Sequence, residues 1–127
     1  MALTNDEKIL ALRSIEGFDV DFGLKTVMNM IPVYFKVLRI FVKNERNEHE
    51  SFDQLINSGE IGDFNVLVHG YKGSLRNIGA LNLSNLAQQL ETFAGNNDIA
   101  GIKANLPAFK DGIRLLADNI EKILGES

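Results

Sequence analysis

One short stretch of the sequence places a histidine, a lysine and two glycines within five residues, His69-Gly70-Tyr71-Lys72-Gly73. Imidazole has an unperturbed pKa of about 6.5, so much of it is neutral and nucleophilic at cellular pH. An ammonium group three residues further along a helix lies on the same side, where it can stabilise the charge of a transferring phosphoryl group. These residue types at this spacing indicate phosphoryl transfer through His69.

The apolar residues around His69 predict that its side chain faces solvent. On a helix they share one face: Phe64, Leu67, Val68, Tyr71, Leu75 and Ile78. At about 100° per residue, His69 lies about 160° from the centre of that face, on the side of Lys72 and Gly73. A glycine costs a helix interior about 1 kcal/mol relative to alanine. Gly70 and Gly73 are therefore expected to leave a flat surface for a partner protein rather than to add stability.

The elements that position this stretch are predicted to be helices, because apolar residues recur at helical spacing and strand signals are nearly absent. Two short helices are expected at about 5–14 and 20–29, the first opened by a capping box at Thr4 and Glu7. Four amphipathic helices are expected at about 32–58, 62–77, 82–94 and 99–124. Short connections favour antiparallel neighbours. The predicted fold is all-α, an antiparallel up-down-up-down four-helix bundle preceded by two short N-terminal helices.

Three further predictions concern the continuity and the ends of the long helices. The apolar phase holds across the polar stretch 44–51, which favours one helix over two. Asn82 or Ser84 is expected to cap the third long helix. Pro107 either kinks the last helix or marks its true start.

Length and composition restrict the class of protein. The 127 residues fit a single domain, with the short helices in 1–30 and the bundle in 31–125. A net charge of −4 gives no basic footprint for nucleic acid and no polybasic membrane patch. There is no cysteine, and two histidines 20 residues apart give no zinc signature. Without a transmembrane run or a signal peptide, we expect a cytoplasmic monomer with no metal or other cofactor of its own.

The order of residues around His69 also matches a known pattern. The pattern is a histidine, any residue, a large apolar residue, Lys-Gly-Ser, and later an apolar residue before a glycine. The matching residues are His69, Tyr71, Lys72, Gly73, Ser74, Ile78 and Gly79. Upstream, Ile15 to Asp19 and Gly23-Leu24 are similar to the lead-in of the same proteins. From about residue 15 onward, the chain resembles the histidine-containing phosphotransfer (HPt) domains of hybrid histidine kinases.

The resemblance implies a role in phosphorelay signal transduction. His69 is implied to accept a phosphoryl group, through Nε2, from the aspartate of one receiver domain and to pass it to the aspartate of another. Lys72 is implied to be the electrostatic helper, and Gly73 and Gly70 to open the docking surface. Such domains have no kinase activity of their own, and the Mg²⁺ used in transfer belongs to the receiver. The chain departs from the usual pattern at Gly70, Tyr71 and Arg76, which affects the surface that a receiver touches.

Three further residues have both a functional and an ordinary interpretation, and a fourth has only an ordinary one. Val66 is a contact candidate for a receiver, or a single exposed valine. Arg76 either adds positive charge beside the phosphoryl group or pairs with an acidic residue of this domain. Glu91 either hydrogen-bonds the imidazole from the neighbouring helix or is a solvated charge. His49 is interpreted as a surface residue without a role.

Two alternative functions stay open at this point. One is a helical adaptor that binds partners without phosphate, although the adaptor would not need both His69 and Lys72. The other is the phosphoacceptor domain of a chemotaxis-type histidine kinase, against which the upstream lead-in and the Lys72-Gly73 pair argue.

Overall fold

The computed structural model describes residues 2–125, which fold into seven helices without a strand. The helices are α1 (Asn5–Arg13), α2 (Val20–Thr26), α3 (Ile31–Glu48), α4 (Ser51–Asn57), α5 (Ile61–Ile78), α6 (Leu81–Gly95) and α7 (Ile99–Leu124). Within this part of the chain, none of the helices has the length and apolar character needed to span a bilayer.

The two short N-terminal helices are present, and α1 opens with the predicted capping box. The backbone N–H of Thr4 donates to Glu7 Oε1 at 2.9 Å, and the backbone N–H of Glu7 donates to Thr4 Oγ1 at 3.1 Å. The second helix ends at Thr26, three residues earlier than predicted. Met28 and Asn29 have φ angles of 57° and 61°, and left-handed residues cannot continue a right-handed helix.

The long helices form the predicted bundle. Helix α5 packs most extensively against α6, α6 packs against α7, and α7 packs against α3. Gly79 and Ala80 alone connect α5 to α6, so these two helices are antiparallel neighbours. Gly79 ends α5 with a φ of 98°, and a Cβ there would lie 2.0 Å from the carbonyl oxygen of Asp19. The turn therefore requires glycine.

Aromatic side chains from three helices fix α5 against the rest of the core. The ring of Phe52 in α4 lies edge-to-face on Tyr71 of α5 and Phe109 of α7, with centroid distances of 5.2 and 5.7 Å. Tyr71 and Phe109 also meet edge-to-face at 6.3 Å. Edge-to-face pairs add to the free energy gained from burial alone. Because Tyr71 lies two residues after His69, this cluster fixes the rotation of α5 about its axis.

The single helix predicted over 32–58 is wrong, because the structure divides it at His49 and Glu50. Both residues keep right-handed backbone angles, with φ of −53° and −78°, so the apolar phase continues from α3 into α4. That continuity is why the sequence pattern suggested one helix.

The interpretation of His49 as a surface residue is also wrong. His49 is buried, and its Nδ1 is hydrogen-bonded to the carboxylate of Glu45, which is itself fully buried. Arg46 pairs with the same carboxylate at 2.9 Å. A buried carboxylate needs such partners, and residues 45 and 49 lie one turn apart on the inward side. A hydrogen-bonded polar pair therefore lies on the buried side of α3 and its C-terminal turn.

The remaining details concern the ends of two helices. Helix α7 begins at Ile99, after the Asp98 side chain accepts from the backbone N–H of Gly101 at 2.9 Å. It continues through Pro107, so the proline does not mark its start. The predicted caps of α6 are also wrong, since its N-cap residue is Ala80 and makes no side-chain hydrogen bond.

Candidate functional site

Helix α5 presents His69 to solvent, as the helical phase predicted. The apolar face of the helix is buried, and the His69 side chain on the other side is 66% exposed. The histidine is therefore held on a rigid element and is open to an approaching protein.

The carboxylate of Glu91, on α6, determines which nitrogen of His69 carries the proton. His69 Nδ1 lies 2.9 Å from Glu91 Oε1. The pKa of Glu91 is held below its ordinary value, mainly by the hydrogen bond from Lys72 and further by the one from His69. An ionised carboxylate can only accept, so Nδ1 must donate. In the neutral imidazole the lone pair is then on Nε2, which makes no hydrogen bond to any residue of the described chain.

Lys72 is held next to His69 through the same carboxylate. Its Nζ lies 2.9 Å from Glu91 Oε2 and 3.1 Å from the side-chain oxygen of Gln88. Glu91 thus bridges the imidazole and the ammonium group. The three side chains form a charged cluster between α5 and α6, joined by one hydrogen bond and one ion pair.

Ser84 fixes the two helices at this level. Rather than capping α6, its buried hydroxyl donates to the backbone carbonyl oxygen of Lys72 at 2.9 Å. This bond satisfies a buried hydroxyl and ties α6 to the turn of α5 that follows His69.

Few side chains cover the surface around His69. A Cβ added at Gly70 or Gly73 would meet no atom within 4 Å outside its own neighbourhood. The packing of this domain therefore does not require glycine at either position. Val66, one turn before His69, is 73% exposed. The structure thus brings Val66, Gly70 and Gly73 together as one open strip beside the histidine.

Of the two interpretations of Arg76, the one in which it pairs with an acidic residue of this domain is wrong, and the other stays a prediction. Its guanidinium lies over the ring of Phe22 from α2, 5.3 Å from the centroid, which is a cation–π distance. The Arg76 side chain forms no ion pair within residues 2–125. Because Arg76 is seven residues after His69, this stack lies on the same side of α5.

Sequence reasoning missed Ser84, Gln88 and Phe22. The spacing of residues 84, 88 and 91 places them on one face of α6, so a helical-face search around Glu91 could have found the first two. No comparable signal exists for Phe22, because its contact depends on how α2 packs on α5.

The family comparison agrees with this geometry. Residues 36–124 match the family model of the Hpt domain. Since the match covers well over half of the chain, the chain belongs to the Hpt domain family, and its general role is phosphotransfer in a two-component phosphorelay. Domains of this family are phosphocarriers that interact with receiver domains. Searches of the curated proteins and of the solved structures returned no match. Within residues 2–125 there is also no group of three or more acidic or histidine side chains that could hold a metal.

Proposed function

We propose that His69 takes a phosphoryl group from the phosphoaspartate of one receiver domain and passes it to the aspartate of a second receiver. The observation that carries this proposal is the exposed imidazole whose Nδ1 donates to Glu91, because this leaves the Nε2 lone pair directed away from the domain's own hydrogen bonds. Nε2 is then the nucleophile.

The transfer step follows from that arrangement. The Nε2 lone pair attacks phosphorus, the N–P bond forms, and the bond from phosphorus to the aspartate oxygen breaks. The electron pair of the broken bond leaves with the aspartate carboxylate. The proton on Nδ1 stays hydrogen-bonded to Glu91, whose negative charge balances the positive charge that develops on the ring. Transfer to the second receiver is the reverse of this step.

Lys72 is the residue that supports the phosphoryl group in this proposal. Its ammonium is attached to Glu91 and Gln88 through the side chains alone, so a rotation of its own flexible stem can bring it to a phosphoryl oxygen. Mg²⁺ would be supplied by the receiver. The chain itself would hold no cofactor and would have no autonomous kinase activity.

The strip of Val66, Gly70 and Gly73 is the proposed docking surface, with Arg76 at its far end. The absence of side chains at both glycines lets a receiver bring its aspartate up to Nε2 without a clash. The exposed valine adds apolar contact. Arg76, stacked on Phe22, offers a cationic rim.

The proposal is tested by incubating the protein with a phosphorylated receiver domain. The wild type is expected to acquire an acid-labile, alkali-stable label, and His69→Gln to acquire none while keeping its helical circular dichroism. His49→Gln, which removes the other histidine, should still be labelled. A label on His69→Gln would refute the assignment.

The adaptor alternative gains no support from the structure, since His69 and Lys72 share one carboxylate rather than lying apart. The hybrid-kinase subtype, the single-domain organisation, the monomeric state and the cytoplasmic location stay predictions from the sequence.

A further inference from the structure

A recess between α3 and α5 adjoins the open strip beside His69, and we call it the α3–α5 recess. Its volume is about 320 Å³, and it is lined in part by Val66 and Gly70 of the strip itself. Both residues lie within one turn of His69. A protein that covers the strip therefore also covers the mouth of the recess.

The α5 wall of the α3–α5 recess is apolar and accessible. Val66 is 73% exposed, and Leu67 beside it is partly exposed. Gly70 places no side chain over the opening. The methylene stem of a long side chain can therefore pack on the valine and the leucine.

The α3 wall of the recess carries a carboxylate without a counter-ion. Glu48 lines the recess, is partly buried, and forms no ion pair within residues 2–125. It is the last residue of α3, where the helix dipole favours a cation over an anion. No lysine or arginine of the described chain lines the recess. Helix stability and internal pairing therefore do not explain the negative charge at this position.

Tyr71 holds the carboxylate of Glu48 at the recess. Its hydroxyl donates to Glu48 Oε1 at 3.0 Å. Burial, and after it the negative charge of Glu48, raise the pKa of Tyr71, so the hydroxyl stays protonated and remains a donor. Glu48 Oε2 is not buried and accepts no hydrogen bond from the described residues. One oxygen of the carboxylate is thus fixed from inside, and the other is available to a partner.

We propose that the α3–α5 recess binds one lysine or arginine side chain of the receiver domain that docks at His69. The stem of that side chain would lie on Val66 and Leu67, and its cationic head would pair with Glu48 Oε2. The inference rests on the phosphoryl transfer proposed for His69, because the receiver must first lie on the open strip. Glu48 acts in recognition of the receiver and does not touch the phosphoryl group.

A basic side chain fits this recess better than an apolar or an acidic one. An apolar side chain would displace water from a partly buried carboxylate and give it no partner, which costs free energy. An acidic side chain would be repelled by Glu48. A cation with a long apolar stem matches both walls.

The test compares Glu48→Gln and Glu48→Lys with two matched controls, Glu16→Gln and Glu16→Lys. The amide oxygen of a glutamine can still accept from Tyr71, so Glu48→Gln removes the charge and keeps the internal hydrogen bond. Glu16 is exposed and lies on the side of α7, away from the recess. Circular dichroism confirms that each variant folds.

The first measurement is the rate of phosphoryl uptake as the concentration of phosphorylated receiver is varied. We expect the KM for the receiver to rise about tenfold in Glu48→Gln and further in Glu48→Lys, because the lost ion pair belongs to docking. The rate at saturating receiver should not change. Both controls should match the wild type. Uptake from phosphoramidate, a small phosphoryl donor that has no side chain to dock, should be equal in the wild type and all four variants.

Charge reversal in the receiver then identifies the occupant of the recess. Each lysine and arginine around the phosphorylated aspartate of the receiver is changed in turn to glutamate. One of these receiver variants should transfer poorly to the wild type and regain transfer to Glu48→Lys, because the two reversed charges attract each other again.

The outcomes separate this inference from the function proposed for His69. Equal KM values for Glu48→Gln and Glu16→Gln would overturn the inference, and so would a receiver scan in which Glu48→Lys rescues no variant; in both cases a labelled wild type leaves the role of His69 intact. Weaker uptake from phosphoramidate in Glu48→Gln would also overturn it, since Glu48 would then act in the transfer step. A wild type labelled by neither donor would overturn the proposed function and this inference with it.

Discussion

Glu91 is bonded at the same time to the imidazole of His69 and to the ammonium of Lys72. For the imidazole, the carboxylate selects the protonated nitrogen. For the lysine, the carboxylate is the ion-pair partner in the free domain. In the proposed transfer, the ammonium leaves this partner when a phosphoryl group brings a stronger negative charge nearby. One side chain on α6 therefore prepares both residues of α5 for the proposed transfer.

Replacing Glu91 should change the tautomer of His69. In the wild type, the neutral ring is expected to carry its proton on Nδ1, because Glu91 accepts from it at 2.9 Å. In Glu91→Ala, a larger share of the proton should move to Nε2, and phosphoryl uptake should slow. Nitrogen-15 NMR shifts of the ring at alkaline pH report the tautomer. Asp63→Ala, which removes a carboxylate of α5 that makes no hydrogen bond to the ring, should leave the spectrum unchanged. An identical tautomer in Glu91→Ala would contradict the assignment.

Removing the ammonium of Lys72 should raise the pKa of Glu91 toward its ordinary value of 4.5, since the hydrogen bond from Lys72 is the main cause of its lowering. A carboxyl whose folded pKa is depressed stabilises the fold above its unfolded pKa and loses that contribution as the pH falls through the folded pKa. Lys72→Met should therefore be slightly less stable than the wild type at neutral pH and equal to it in strong acid. Partial exposure keeps the difference small.

Carbon-13 NMR titration of the Glu91 carboxyl gives the pKa, and thermal melts at neutral and strongly acidic pH give the stability. A Glu91 pKa that is unchanged in Lys72→Met would show that the ion pair does not form in solution.

The parts of the site that lie on one helix could be predicted from the sequence. The positions of His69, Lys72 and Gly73 relative to the buried face follow from the fixed rotation per residue. Glu91 was only a candidate, and Gln88 was missed, because their contacts depend on how α6 is rotated against α5. That rotation is set by packing, including the bond from Ser84, and not by local sequence.

The glycines of α5 are the clearest feature at the scale of the element. Gly73→Ala should stabilise the protein by about 0.5–1 kcal/mol, because alanine favours the helix and its Cβ meets nothing. Gly73→Gln should fold normally but slow phosphoryl uptake by covering the docking surface. Urea denaturation and the uptake assay measure the two effects.

Gly23→Ala is the contrasting control for this prediction. A Cβ at Gly23 would lie 2.3 Å from the carbonyl oxygen of Ile78, so this variant should lose stability. A loss of stability in Gly73→Ala as well would mean that the surface around His69 is more crowded than the structure shows.

The break between α3 and α4 leaves no mark on the apolar periodicity of the sequence. The apolar phase runs from Leu38 through Phe52 without a shift, because both residues of the turn keep right-handed angles. The same phase places Glu45 and His49 inside the protein. His49 was predicted to be a surface residue, but the salt bridge from Arg46 to Glu45 and the hydrogen bond between Glu45 and His49 make the burial of this pair tolerable.

At the scale of the whole molecule, the fold class was predictable because each long helix carries its own apolar stripe. Apart from the break between α3 and α4, helix ends were predicted to within a few residues. The order of the helices around the bundle followed from the short connections.

The aromatic contacts at the centre should dominate the stability of the bundle. Phe109→Ala removes a fully buried ring that packs on Phe52 and Tyr71, and it should cost about 3–5 kcal/mol. Leu115→Ala, on the same helix but 61% exposed, should cost about 0.5 kcal/mol or less. Chemical denaturation of both variants measures the difference, and equal losses would show that the assigned rotation of α7 is wrong.

The exposure of His69 has a consequence for the lifetime of a stored signal. A phosphoryl group on Nε2 would stand in bulk water, because no helix of residues 2–125 covers this side of α5. The phosphoryl group would then be lost by hydrolysis, at a rate set mainly by the reactivity of the N–P bond, unless an acceptor receiver arrives first. The domain would work as a short-term memory, and the concentration of free acceptor would decide whether its content is delivered or lost.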